Sequence, residues 1–183
     1  MLGKHGLWAK RLYYEESARI PMLLVGAGAG EEVGSDCVDD RLVGWQDVLP
    51  TLLHLAGLSV PDSVQGRCML SGTRRDYLYG EVGRGARATR MLHAGRFKLI
   101  YYPMGNSVQL FDLEEDPEEL VDLSARDEHA DRRRHMEGLL AEQLRGEDRA
   151  WVADGALVGM PAEKTAPLYA KDLSGQRGVH WPL

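Results

Sequence analysis

A chain of 183 residues is long enough to bury the core of one ordinary domain, and 44% hydrophobic with 27% charged residues is the composition of a globular protein, not a disordered one. The formal net charge of −6 argues against nucleic acid as a partner, and no apolar stretch approaches the roughly 20 residues of a membrane span. Cys37 and Cys68 are not arranged as a CxxC pair, which excludes a disulfide framework and a thiolate zinc site.

The first predicted elements lie close to the start of the chain. Residues 7–19 have spacing compatible with a helix, although a loop with one helical turn fits this short stretch equally well. The run IPMLLVGAG, Ile20 to Gly28, is almost continuously apolar and ends in glycines. Such a run is typical of a strand covered on both faces, as in a parallel sheet between helices. We therefore expect a strand at least over Ile20–Gly26.

A short helix is predicted over residues 46–56. Asp47 suits the cap, Pro50 suits the first turn, and Gly57 ends the pattern. The expected buried stripe consists of Leu49, Leu52, Leu53 and Ala56.

Short β-type runs separated by glycine-containing turns predict an antiparallel sheet over about 77–113, with turns at HAGRF and MGNS. A polar helix follows at roughly 128–145 and is expected to pack against the sheet. Its apolar face consists of Met136, Leu139, Leu140 and Leu144. Residues 148–183 are rich in glycine, proline and alanine, which favours an extended tail.

Other familiar motifs fail on their spacing. GAGAG places Gly26 and Gly28 correctly for a dinucleotide fingerprint, but Glu31 occupies the position of the third glycine. DLEEDPEE lacks EF-hand spacing, and no GxSxG or HExxH occurs. No second potential metal ligand stands at a suitable sequence spacing from His54. The sequence therefore gives no nucleotide, calcium or zinc site by these patterns.

The opening segment MLGKHGLWAKRLYYEESARIPMLLVG resembles the sulfatase family of the alkaline-phosphatase-like superfamily. Members of that family carry a motif of the form D-(H/N)-G-x-x-L-G-x-H-G-L-x-x-K-x-x-x-Y-E-x-S-x-R-(I/V)-P. The residues that fall on it are Leu2, Gly3, His5, Gly6, Leu7, Lys10, Tyr14, Glu15 or Glu16, Ser17, Arg19, Ile20 and Pro21.

Three further segments resemble the same family in the same order. They are DVLPTLLHLAGL, PDSVQGRCML (where Cys68 replaces the usual serine), and GRFKLIYY with QLFDLEEDPEELVDLS. The resemblance spans residues 1–146 and implies an α/β fold. Residues 1–70 would be the C-terminal part of the catalytic domain, 71–147 a small α+β subdomain with an antiparallel sheet and one helix, and 148–183 the tail.

The resemblance also implies chemistry that this chain lacks. The family's nucleophile is a formylglycine made from the Cys or Ser of C/S-x-P-x-R, but Asp39 and Leu70 stand where the proline should follow Cys37 and Cys68. The calcium ligands of the family lie before the position that corresponds to Met1. We therefore expect no cofactor or metal site in this chain, with calcium and formylglycine only in the full-length family, and no activity of the chain alone.

The same resemblance implies the site residues. Lys10 falls on the family's sulfate-contacting lysine, a position where a compact ammonium suits one oxyanion. His5 either lines the pocket, orients the metal-binding loop, or is a structural histidine in a glycine turn. Arg19 is expected to form an ion pair with Glu15 or Glu16 that positions the loop.

Three functions remain open from the sequence. The first is a sulfatase fragment that cleaves sulfate monoesters of small molecules or glycans when complete. The second is a phosphonate or phosphodiester hydrolase on the same scaffold, and the third is a non-catalytic truncated module. An incomplete domain would leave an apolar face uncovered and favour self-association. A Gly-rich loop with Glu81, Arg84 and Arg87 is expected to be exposed. The cellular location, cytoplasmic or periplasmic, stays open.

Overall fold

The computed structural model describes residues 2–7, 10, 12–25, 33 and 37–161. Contacts group them into two compact units: the described parts of Met1–Ile20 and Tyr79–Leu183 form one, and those of Pro21–Leu78 form the other. The chain up to Ile20 thus belongs with the sheet rather than with residues 21–70. The functional boundaries expected at 70 and 147 stay predictions.

A four-stranded sheet dominates the first unit. It consists of β1 (Leu78–Val82), β2 (Thr89–Ala94), β3 (Phe97–Tyr102) and β4 (Ser107–Asp112), in that spatial order. Strand β3 is antiparallel to both β2 and β4, and all six of its residues are buried. The sheet predicted over about 77–113 is confirmed, and β3 forms its centre.

Turn chemistry fixes the register of the β2–β3 hairpin. Ala94 pairs with Phe97, so only Gly95 and Arg96 connect the strands. Gly95 has a φ of 60°, and a positive φ at the first central position is what a type II′ hairpin turn requires. The turn predicted at HAGRF is therefore confirmed.

A polar helix covers the sheet. Helix α3 (Ala130–Gln143) follows a 3₁₀ turn at Asp127–His129 and packs against β2 and β3. Met136, Leu140 and Leu144 are buried as the sequence predicts, whereas Leu139 is half-buried. The predicted helix and its apolar face are confirmed.

The predicted tail is structured over its first part. A 3₁₀ helix at Gly146–Trp151 leads into a small hairpin of β5 (Val152–Ala153) and β6 (Ala156–Leu157). Trp151 is buried, and the guanidinium of Arg90 lies 5.2 Å from the centre of its ring. The remainder, including LSGQRGVHWP, lies outside the described residues.

The second unit contains the predicted short helix, α2 (Val48–Leu55), in an unexpected orientation. Its buried face holds Pro50 and Thr51, and the Thr51 hydroxyl accepts a hydrogen bond from the Met69 N–H at 2.9 Å. Most of the expected buried stripe is exposed instead: Leu49 is 52% and Leu52 55% exposed, Ala56 is also exposed, and only Leu53 is half-buried. The helix is confirmed, but its apolar side is uncovered in the described residues.

Asp47 does not cap this helix as predicted. Its buried carboxylate accepts from the N–H groups of Gly44 (2.8 Å) and Arg67 (2.7 Å) and pairs with the guanidinium of Arg75. The reason is that these three partners satisfy the carboxylate before the helix begins, so Asp47 organises the connection to residues 67–75.

The strand predicted over Ile20–Gly26 is wrong for its described part. Residues 20–25 lie outside every strand of the described chain, and Leu23 and Val25 are 86% and 81% exposed. A strand needs a neighbour to pair with its backbone groups, and no described segment provides one here. Gly26 lies outside the described residues. The structure also contains, in its described parts, no helix with the length and apolarity to cross a membrane.

Candidate functional site

Lys10 lies between two buried anchors in the first unit. Leu7 precedes it and Tyr14 follows it, and both pack into one core cluster with Ile100, Tyr102 and Phe111. Lys10 itself is exposed and makes no hydrogen bond or ion pair to another described residue. The predicted sulfate-contacting lysine is thus exposed to solvent, and the side chains of Leu7 before it and Tyr14 after it are fixed in the core.

Tyr14 is the more elaborate of the two anchors. Its ring stacks on the imidazole of His5, with centroids 4.2 Å apart and planes inclined by 12°. Its hydroxyl donates to the Gln109 side-chain oxygen at 3.0 Å. Burial raises the pKa of Tyr14, so the phenol remains a neutral donor. His5 therefore braces the segment through Tyr14, and its predicted role in the pocket stays a prediction.

Helix α1 (Glu15–Ala18) follows Tyr14 directly. It has four residues and no side-chain N-cap, so its own hydrogen bonds do not make it stable. Two contacts to the rest of the unit fix it. The Glu15 N–H donates to Glu119 Oε2 at 2.5 Å, and Glu15 Oε1 accepts from Lys98 Nζ at 2.7 Å.

Lys98, on β3, stands at the centre of this arrangement. Its side chain is 0% exposed, and its ammonium lies 2.7 Å from Glu15 Oε1 and 2.5 Å from Glu119 Oε1. Burial raises the pKa of Glu119, while the attraction of Lys98 opposes that rise. One buried cation thus connects the central strand, the 119 loop and α1.

A second set of charges surrounds Glu16. Its carboxylate forms an ion pair with Lys4, which also contacts Glu118 at 3.0 Å. His5 Nε2 lies 3.9 Å from Glu16 Oε2. Burial acts to raise the pKa of Glu16, but the Lys4 hydrogen bond prevails and holds that pKa below its usual value.

The ion pair predicted between Arg19 and the glutamates is wrong. Arg19 is exposed, and within the described chain Glu15 pairs with Lys98 while Glu16 pairs with Lys4. Glu15 faces the sheet, which provides Lys98, and Glu16 faces the 3₁₀ turn at Lys4–Gly6, which provides Lys4. Sequence reasoning missed Lys98, although a lysine inside the apolar run FKLIYY was a usable signal for a buried ion pair.

A metal ion does not fit this cluster. Ligand atoms of His5, Glu16 and Glu119 lie within 4.8 Å of one another. However, Lys98 and Lys4 already neutralise the two carboxylates. A divalent cation would have to displace both ammonium groups, and hard cations such as Ca²⁺ prefer six to eight oxygen ligands. The calcium that the family resemblance implies is therefore not accommodated by these residues.

The other candidate positions are peripheral to this cluster. Cys37 is exposed and Cys68 half-buried, and both are free thiols. Glu81, Arg84 and Arg87 are exposed as expected. Glu81 and Arg84 line an open cleft of about 610 Å³, where the buried Arg90 is already paired with Asp148 at 2.7 Å.

Comparison with known proteins assigns the fold and this segment to a family. Residues 3–146 match the family described as N-sulphoglucosamine sulphohydrolase, C-terminal. That stretch includes the Lys10 loop, both anchors, the sheet and α3. The chain belongs to the sulfatase family and corresponds to a C-terminal portion.

Two curated relatives agree with this assignment. An arylsulfatase of Clostridium perfringens is 30% identical over 164 residues, which is 86% of this chain and 34% of the relative. A choline-sulfatase of Rhizobium meliloti is 33% identical over 133 residues, or 68% of this chain and 25% of the relative. A crystal structure of a putative sulfatase from Bacteroides thetaiotaomicron aligns with a TM-score of 0.49 and 26% identity over 52% of this chain and 23% of that one. The chain spans a quarter to a third of the length of these curated relatives.

Proposed function

We propose that this chain contributes Lys10 to the active site of a sulfuric ester hydrolase that cleaves sulfate monoesters. The observation that carries the proposal is the presentation of Lys10: an exposed ammonium without a described partner, on a loop anchored at Leu7 and Tyr14. An exposed cation without a described partner can bind an anion. Membership of the sulfatase family supports sulfate as that anion.

Hydrolysis of a sulfate ester requires a cationic group of this kind. Cleavage of a sulfate ester develops negative charge on the sulfuryl oxygens and on the leaving oxygen, and fixed cationic donors stabilise that charge. An ammonium makes a compact point contact to one oxygen. The nucleophile and the calcium that the family resemblance implies would be supplied by another part of the complete enzyme.

The test is Lys10→Ala in a complete sulfatase that contains this chain. Turnover of an aryl sulfate should fall by roughly 10²–10³, the usual effect of removing one oxyanion donor. Arg134→Ala is the matched control, because Arg134 is a cation with a 69% exposed side chain on α3. Turnover of the Lys10 variant within threefold of the parent would remove Lys10 from the site.

The substrate class is a sulfate monoester of a small molecule or a glycan. The same assay series should include an aryl phosphonate monoester, since the alkaline-phosphatase-like hydrolases also include enzymes of that class. We expect kcat/KM to favour the sulfate. A preference for the phosphonate would instead support the second activity, while a continued requirement for Lys10 would keep the residue in its role.

The uncovered side of α2 supports one further feature, which is self-association of the isolated chain. Trp45, Leu49, Leu52 and Leu58 are all more than half exposed within the second unit. Apolar side chains grouped in this way are more often interfaces than free surface.

A further inference from the structure

We propose that Lys98 and Glu119 are positioning residues for Lys10, an inference that rests on the proposed role of Lys10 in sulfate-ester cleavage. Neither residue belongs to the motif that carries the resemblance of residues 2–21 to sulfatases. Both lie far away in the sequence: Lys98 is 83 residues from its partner Glu15, and Glu119 is 104 residues from the same partner.

The first step is the burial of Lys98. The other five residues of β3 are Phe97, Leu99, Ile100, Tyr101 and Tyr102, and all of them are buried. Replacing both members of a buried ion pair by well-packed apolar residues often leaves a protein as stable or more stable. Stability alone therefore gives no reason for an ammonium in this strand. What an ion cluster adds is direction, because each contact fixes one atom of a partner.

The second step is that the cluster holds Glu15 by two groups at once. Lys98 binds its side chain, and Glu119 Oε2 accepts a hydrogen bond from its backbone N–H. Glu119 itself has a φ of 55°, in the left-handed region that non-glycine residues seldom occupy. Such a conformation persists only where the surroundings impose it. The position of Glu15 is thus specified by both the strand and the 119 loop.

The third step connects Glu15 to Lys10. Glu15 follows Tyr14 in the chain, and Tyr14 is the anchor at the C-terminal end of the Lys10 loop. A displacement of Glu15 would move Tyr14 against His5 and the core, and the loop end would move with it. Misplacement of a catalytic group by 1 Å can cost about 10²-fold in rate. Lys98 and Glu119 therefore influence turnover through Lys10, without contact with the substrate.

A double-mutant cycle tests this connection in a complete sulfatase that contains the chain. Turnover is measured for the parent, Lys10→Ala, Lys98→Met and the double variant. We expect Lys98→Met to lower kcat by roughly 10–100-fold in the parent. In the Lys10→Ala background the same change should lower kcat less than threefold, because the group that it positions is already absent. Glu119→Gln, which keeps the side-chain shape, should show the same pattern.

Controls separate positioning from a loss of folded enzyme. Leu140→Ala truncates a fully buried side chain of α3 and should lower the melting temperature. It should change kcat by the same factor in the parent and in the Lys10→Ala background. If Lys98→Met does not fold, Glu15→Gln replaces it in the cycle, since it removes one charge and keeps the backbone contact to Glu119. Equal effects of Lys98→Met, or of Glu15→Gln, with and without Lys10 would overturn the positioning role alone. If Lys10→Ala keeps turnover within threefold of the parent, both the proposed function and the positioning role would be overturned.

Discussion

The buried ion cluster makes a specific prediction about stability when Lys98 is replaced by methionine. The substitution leaves Glu119, whose side chain is 0% exposed, without its cation. Breaking a buried pair by removing one partner typically costs about 3–5 kcal/mol, because the remaining charge is uncompensated. We expect the free energy of unfolding to fall by about this amount at pH 7.

The deficit should depend on pH, and its sign follows from Glu119. Burial raises the pKa of Glu119, and Lys98 opposes that rise in the parent. Without Lys98 the folded carboxyl holds its proton to still higher pH than the unfolded one, whose pKa is about 4.3. The folded state then binds more protons, so its stability falls as the pH rises from about 4.3 through the folded pKa. The deficit should therefore be smallest near pH 5 and largest at pH 7.

Urea unfolding followed by circular dichroism at pH 5, 6 and 7 provides the measurement. A Lys98→Met/Glu119→Met variant removes both charges and should recover most of the loss, short of about 1 kcal/mol for the hydrogen bond to Glu15. Arg134→Met, at a solvent-exposed ion pair, should change stability by less than about 1 kcal/mol. A deficit of equal size at pH 5 and pH 7, or a double variant as unstable as the single one at pH 7, would contradict an uncompensated Glu119 charge as the cause of the loss.

Three further predictions concern the chain as a whole. The purified chain should not hydrolyse an aryl sulfate with added calcium, because no Cys or Ser stands in the nucleophile motif; metal-dependent turnover that Lys10→Ala abolishes would contradict this. Sedimentation should show association that Leu49→Lys with Leu52→Lys reduces, whereas a well-behaved parent monomer would count against the uncovered face. Leu140→Ala should cost about 2–5 kcal/mol of unfolding free energy, and a loss below 1 kcal/mol would show that α3 contributes little to the core.

Local patterns predicted the sheet and α3 because their determinants are local. The Gly95 turn sets a hairpin register within four residues, and the apolar face of α3 repeats at helical spacing. The strand expected at Ile20–Gly26 failed for the opposite reason, since a strand depends on a neighbour that an apolar run does not specify. The orientation of α2 failed similarly, because Thr51 faces inward to bond a backbone group at residue 69.

The residues of the candidate site also differ in whether local sequence predicts them. Lys10 and His5 stay predictions, and they come from a motif whose members lie within a few residues of one another. Lys98 and Glu119 were not found, because their contacts join positions 83 and 104 residues away from Glu15. A lysine in a buried run indicates that a partner exists, but one sequence does not say which of many carboxylates it is.

The contacts around Glu15 indicate which substitutions in this region should alter the turnover of a sulfatase. The proposed function requires a defined place for Lys10, yet α1, which follows it, has only four residues. The order must therefore come from contacts with the sheet, and the sheet in turn depends on α3 for its cover. Substitutions in the sheet or at Glu119 should then alter turnover without touching substrate, and those on the outer face of α3 should not. On the proposal that Lys10 contacts the sulfate, a C-terminal portion of this kind would be part of the catalytic apparatus rather than an appendage to it.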